Sequence, residues 1–190
     1  MLRDVSPDFK WNKTDVQALK KILPFEATPE AVTVFSRYAR RLTDYAYWFT
    51  LSTLWVSYTG WSDLDEWKRL FSSDRPNRET SIMKPSELEI FRALREPLEL
   101  FRAHRPGEQD WISYSLFAQK AAEFARQRGV DKVSEYRVSR ADALCLFLRR
   151  GEYEVLVLDK GKAEFVRELP VVVVGEGGPG DERVRRIKLW

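Results

Sequence analysis

Glu152 and Glu154 flank Tyr153 at the mouth of an apolar run, Val155-Leu156-Val157-Leu158. In a strand, side chains alternate with a period of two, so Glu152, Glu154 and Leu156 are expected on one face. Two carboxylates aimed the same way at the start of a buried strand are costly unless something uses them. Glu154 is therefore the leading candidate for a catalytic residue, with the rest of the chain as its scaffold.

Two further stretches carry polar groups where apolar ones would be expected. Leu98-Glu99-Leu100-Phe101-Arg102 puts Arg102 on the same face as Leu98 and Leu100. An inward arginine ending an apolar strand needs an anionic partner. Trp111-Ile112-Ser113-Tyr114-Ser115-Leu116 places Ser113 and Ser115 on one strand face, directly before a helix whose early amides can help bind an anion. Each signal alone is weak. A lone Glu-x-Glu is most often a solvated edge, strand serines are common, and an arginine near a strand end usually pairs with a surface acid.

The elements that must hold these groups divide the chain in two. Thr14–Leu23 has helical apolar spacing with Thr14 as cap and Pro24 as stop. Thr28-Pro29-Glu30 reads as a helix start, followed by an apolar stripe through Leu42. Thr43 to Tyr58 is apolar on most faces, as in a buried helix, and Gly60 breaks it. Ser62 begins a shorter amphipathic helix, residues 72–84 read as an exposed loop, and Ser86-Glu87-Leu88-Glu89 fits a capping box.

From Pro97 onward strands dominate: Leu98–Arg105, Trp111–Leu116, Tyr136–Ser139, Tyr153–Asp159 and Pro170–Gly175. A helix over Phe117–Arg128 ends at Gly129, and a second short helix is expected at Arg140–Leu148. The pattern predicts an α+β protein, with a helical N-terminal region at 1–96 and a strand-rich region at 97–190. Gly175 to Gly180 forms a turn or flexible loop; it lacks the Lys-Ser/Thr of a P-loop.

Composition sets the outer limits. The 190 residues suit one domain, or one domain with a sizeable extension, and 44% hydrophobic content is enough for a core. No apolar run reaches the ~20 residues of a membrane span, and the first residues lack a signal-peptide pattern, which points to a cytoplasmic protein without membrane contact. One histidine and one cysteine are too few for zinc, so no metal is expected, and Cys145 reads as a buried, inert thiol. A net charge of +3 permits an acidic partner without requiring one.

Taken in order, the arginine, serine and glutamate stretches resemble the arginine–serine–glutamate class of mono-ADP-ribosyltransferases, the cholera-toxin-like branch, in its bacterial and phage-encoded forms. That class carries aromatic-Arg-Gly on a first strand, Ser-Thr-Ser on a second and Glu-x-Glu or Gln-x-Glu on a later one. Here the positions read Phe101-Arg102-Ala103, Ser113-Tyr114-Ser115 and Glu152-Tyr153-Glu154. The likeness spans residues 97–175, and residues 1–96 carry none of the motifs. Two positions depart from the pattern. Ala103 replaces the glycine, and Tyr114 replaces the threonine, pointing away from the serines.

The resemblance implies a split β-sheet core at 97–190 and an enzyme that takes NAD+ as co-substrate. It would pass ADP-ribose to a macromolecular acceptor, protein or nucleic acid, and release nicotinamide. Glu154 would stabilise the positively charged ribose in the transition state, and Glu152 would face the acceptor. Arg102 would hold phosphates or the nearby ribose, and Ser113 with Ser115 and the Ala103 backbone would order the nicotinamide end. His104 could touch a ribose or the acceptor, although an ordinary exposed histidine is the blander reading. Family habit suggests an intracellular toxin, effector or phage-related factor, with a target or antitoxin protein as partner.

Two alternatives compete. The basic C-terminal stretch Arg183, Arg185, Arg186 and Lys188, next to Trp190, could grip phosphate and stack a base. The altered motifs also leave room for a non-catalytic binding or inhibitor protein on the same scaffold.

Overall fold

The computed structural model describes residues 4–58 and 60–171. The basic C-terminal stretch, the Gly175–Gly180 segment and most of the strand expected at Pro170–Gly175 lie outside the described residues.

Six helices come first: α1 (Lys13–Ile22), α2 (Ala31–Tyr38), α3 (Asp44–Ser57), α4 (Leu64–Phe71), α5 (Arg78–Ile82) and α6 (Pro85–Ala93). The central one, α3, is capped by Thr43, whose hydroxyl accepts from the Ala46 amide at 3.4 Å. It buries Tyr47, Trp48, Leu51 and Leu54, as its all-round apolar character requires. Other starts differ from the sequence reading. Thr28 donates to the Phe25 carbonyl instead of capping α2. Asp63, not Ser62, caps α4. For α6, Glu87 reaches back to the Lys84 amide at 2.8 Å, so the helix starts with Pro85 in its first turn. The stretch expected as an exposed loop contains α5 and buries Ser81, Ile82 and Met83.

The second half is β1 (Leu98–Arg102), β2 (Ser113–Ser115), α7 (Ala118–Arg128), β3 (Lys132–Val138), β4 (Cys145–Phe147), β5 (Glu154–Leu156) and β6 (Glu164–Pro170). All pairings are antiparallel, in the order β4-β5-β2-β1-β3-β6. The protein is thus α+β. The short helix expected at Arg140–Leu148 is not formed. One 3₁₀ turn at Arg140–Asp142 gives way to β4, whose Cys145, Leu146 and Phe147 are fully buried against β5. Burial also pushes the Cys145 thiol well above its ordinary range.

Leu98 and Leu100 of β1 join the helices in one continuous core, whereas Phe101 and Ala103 face α7. A buried ion pair ties the halves together. Arg149, ahead of β5, donates to Glu87 of α6, to Ser52 of α3 at 3.1 Å and to the Ile82 carbonyl at 3.2 Å. Glu87 is 2% exposed, so this clamp fixes the approach to β5 against the helices. Among the described residues no helix is long and apolar enough to cross a membrane.

Candidate active site

The sheet is weakly joined at its middle. β1 pairs with β3 from Leu98 to Arg102, but with β2 at a single position, Phe101 opposite Ser115. Beyond it the ladder stops, and a side chain spans the gap: Arg102 Nη1 donates to the Ser113 carbonyl at 2.5 Å. A cleft of about 480 Å³ opens there, lined by β1, β2, the turn before β5, α7 and the end of α3. That volume falls within the roughly 300–1,000 Å³ usual for small-molecule sites.

Glu154 stands opposite Ser115 in the β2–β5 ladder, so Ser113 is its diagonal neighbour on the same face. Ser113 Oγ donates to Glu154 Oε1 at 2.5 Å, and the Trp55 indole N–H donates to Oε2 at 3.0 Å. Burial pushes the Glu154 carboxyl up to about 6, against the lowering effect of these two hydrogen bonds; the Glu152 charge adds to the rise and Arg102 opposes it. The group still ionises at neutral pH while protonating more readily than a solvated glutamate.

Glu152 reaches the cleft by a different route from the one its spacing suggests. Arg150, Gly151 and Tyr153 all have positive φ, and Glu152 itself is in a helical conformation. The strand begins only at Glu154, so period-two alternation does not govern Glu152. It lines the same cleft from the preceding turn, 3.6 Å from Arg150 Nη2. Ser115 holds that turn in place: its hydroxyl donates to the Glu152 carbonyl at 3.2 Å and accepts from the Phe117 amide. Tyr153 at φ 50° is a conformation costly for an aromatic residue, and its ring packs edge-on against Phe117 at 4.7 Å.

The anion that Arg102 requires is Glu108. Its carboxylate accepts from Arg102 Nη2 at 2.6 Å and Nε at 3.1 Å, and both side chains are largely buried. Glu108 also meets His104 Nδ1 at 3.0 Å, while His104 Nε2 meets the Tyr136 hydroxyl at 2.7 Å. Burial of Glu108 opposes its ionisation, but the bonds from His104 and Arg102 prevail and hold it at about 2. His104 is therefore half-buried in a network, not a free surface histidine.

Ala103 is buried, and its carbonyl accepts from Arg128 of α7. Arg128 is half-buried and lines the cleft; burial and the neighbouring Arg102 and Arg105 charges lower its basicity. Among the described residues neither Arg128 nor Arg105 pairs with a carboxylate. The cleft is thus lined by three guanidinium groups, Arg102, Arg105 and Arg128, as well as by the carboxylates of Glu108, Glu152 and Glu154, with Glu108 taken up by Arg102. Tyr114 points into the core as expected, where burial lifts its hydroxyl to about 12 and Trp111 Nε1 donates to it at 2.8 Å.

The structure brings Arg102, Ala103, Ser113, Ser115, Glu152 and Glu154 to one cleft. Trp55, Glu108 and Arg128 were missed by sequence reasoning. Only Glu108 left a trace, as the anion an inward Arg102 demands. Comparison with family models, curated proteins and solved structures finds no match to this chain.

Proposed function

We propose that the protein is a mono-ADP-ribosyltransferase that cleaves NAD+ and passes ADP-ribose to a macromolecular acceptor. One observation carries the reading: Arg102, Ser113 and Glu154, from three separate strands, are linked by hydrogen bonds within one cleft. The two sets of three strands, joined at a single position, also suit the split sheet that the resemblance implies.

In this reading the bond between ribose C1′ and the nicotinamide nitrogen breaks, and its electron pair neutralises the pyridinium. The acceptor nucleophile bonds to C1′, and its proton leaves to Glu152 or to water. Glu154 accepts a hydrogen bond from the ribose 2′-hydroxyl and stabilises the oxocarbenium-like transition state. Ser113 orients Glu154. Arg102 acts mainly as a brace, because its fork already holds Glu108 and the Ser113 carbonyl. Arg128 and Arg105 then supply the positive charge for the diphosphate. The protein would act inside a cell as a toxin, effector or phage-related factor, with a target or antitoxin protein as partner.

The occupied fork of Arg102 favours one other reading, a binding module without turnover. Incubation with adenine-labelled NAD+ and cell lysate separates the two. Transfer of label to protein, RNA or DNA supports the enzyme and identifies the acceptor class. No transfer at any enzyme concentration, with NAD+ left intact, leaves the binding module.

A further inference from the structure

Trp55 belongs to the helical half of the chain, 99 positions before the residue it touches. Its indole N–H meets Glu154 Oε2 at 3.0 Å, on the opposite carboxylate oxygen from the one Ser113 holds. The ring is itself fixed by α4. It packs edge-on against Trp67 at 5.2 Å and against Phe71 at 5.7 Å, both of them buried. Two donors on two different oxygens define the plane of a carboxylate, which one donor cannot do. Each oxygen keeps a lone pair free for a further hydrogen bond.

We propose that Trp55 is a positioning residue, whose indole N–H sets the orientation of the Glu154 carboxylate and favours its ionised form. The helical region is then part of the active site, not an appendage to it. The inference rests on the transferase reading only for its effect on turnover; the contact itself can be tested without substrate. A hydrogen bond to the charged form favours that form, so losing it raises the Glu154 pKa. Among the described residues the ionisable groups facing Glu154 are Glu152 from the preceding turn, Arg102 from β1 and Cys145 from β4, and none of them is removed by changing Trp55.

Trp55→Phe keeps an aromatic ring against Trp67 and Phe71 while deleting the donor. Carboxyl-labelled glutamate, followed by NMR, gives the Glu154 titration directly, with Glu154→Gln assigning the signal. The pKa of Glu154 is expected to rise by about one unit in the variant. The Trp55 indole proton of the wild type should titrate with Glu154 and stop titrating in Glu154→Gln. Nicotinamide release should fall roughly 10- to 100-fold in Trp55→Phe, with KM for NAD+ little changed and the acidic limb of the rate profile moved upward.

An unshifted Glu154 titration in folded Trp55→Phe overturns the proposal. Should that variant fail to fold, an indole proton in the wild type that ignores Glu154 ionisation overturns it equally. A wild type that never releases nicotinamide, yet shows the coupled titration, refutes the transferase reading and leaves the positioning contact standing.

Discussion

Replacing Glu154 with Gln should make the protein more stable at neutral pH than its wild-type counterpart, relative to their standing in acid. The fold raises the Glu154 carboxyl from an ordinary 4.5 to about 6, chiefly by burial. A rise of roughly 1.5 units at 1.36 kcal/mol each amounts to about 2 kcal/mol. Because the raised pKa means that the folded state prefers the protonated acid, this contribution is complete below pH 4.5. It disappears as pH climbs through 6. Glutamine has no proton to lose, so the variant keeps its standing over the same range. Urea denaturation of both proteins between pH 4 and 7.5 measures the difference, and titrations common to both cancel. The stability of the variant minus that of the wild type should grow by about 2 kcal/mol across the range. A flat difference would show that Ser113, Trp55 and Arg102 offset the burial completely. A difference of opposite sign would show that they outweigh it.

Two other changes probe the remainder of the cleft. Glu108→Gln leaves Arg102 buried without its counter-charge and should cost about 3–5 kcal/mol at pH 7 by denaturant titration. Since Glu108 is held down at about 2, its contribution is present above pH 4.5 and fades as pH falls through 2, so the gap to wild type should narrow in acid. Arg128→Gln should raise KM for NAD+ roughly 10- to 100-fold with kcat largely preserved, read from steady-state nicotinamide release. An unchanged KM would move the diphosphate away from Arg128.

How far the sequence revealed this arrangement depends on the range of the interactions involved. The spans of α1, α3 and α7 were legible because apolar periodicity and stop signals are local. Gly129, at φ 66°, ends α7 as its place in the chain suggests. The stretch Ala143–Leu148 was misread because a short apolar run serves a helix or a strand equally well, and pairing with β5 decides between them. Strand β6 was not foreseen because it is a largely exposed edge whose Glu164, Arg167 and Glu168 break up the apolar Phe165, Val166 and Leu169, so no clean alternation marks it.

In the site, period two correctly put Ser113 and Ser115 on one face, since both are true strand residues; that Glu154 faces them is set by the β2–β5 register, which spacing alone does not give. It failed for Glu152, where positive φ at Arg150, Gly151 and Tyr153 replaces the strand by a turn. Trp55 and Arg128 looked like ordinary helix residues, because their meaning arises only when the helices close over the sheet.

In the proposed reaction, turnover depends most on the Glu154 carboxylate acting against NAD+. Nicotinamide release from NAD+ by purified wild type, Ser113→Ala and Glu154→Gln tests this most directly. The wild type should release nicotinamide, and Glu154→Gln should do so roughly 10²–10³ times more slowly, with Ser113→Ala between them. Equal rates in wild type and Glu154→Gln, or no release by any of the three, would contradict it.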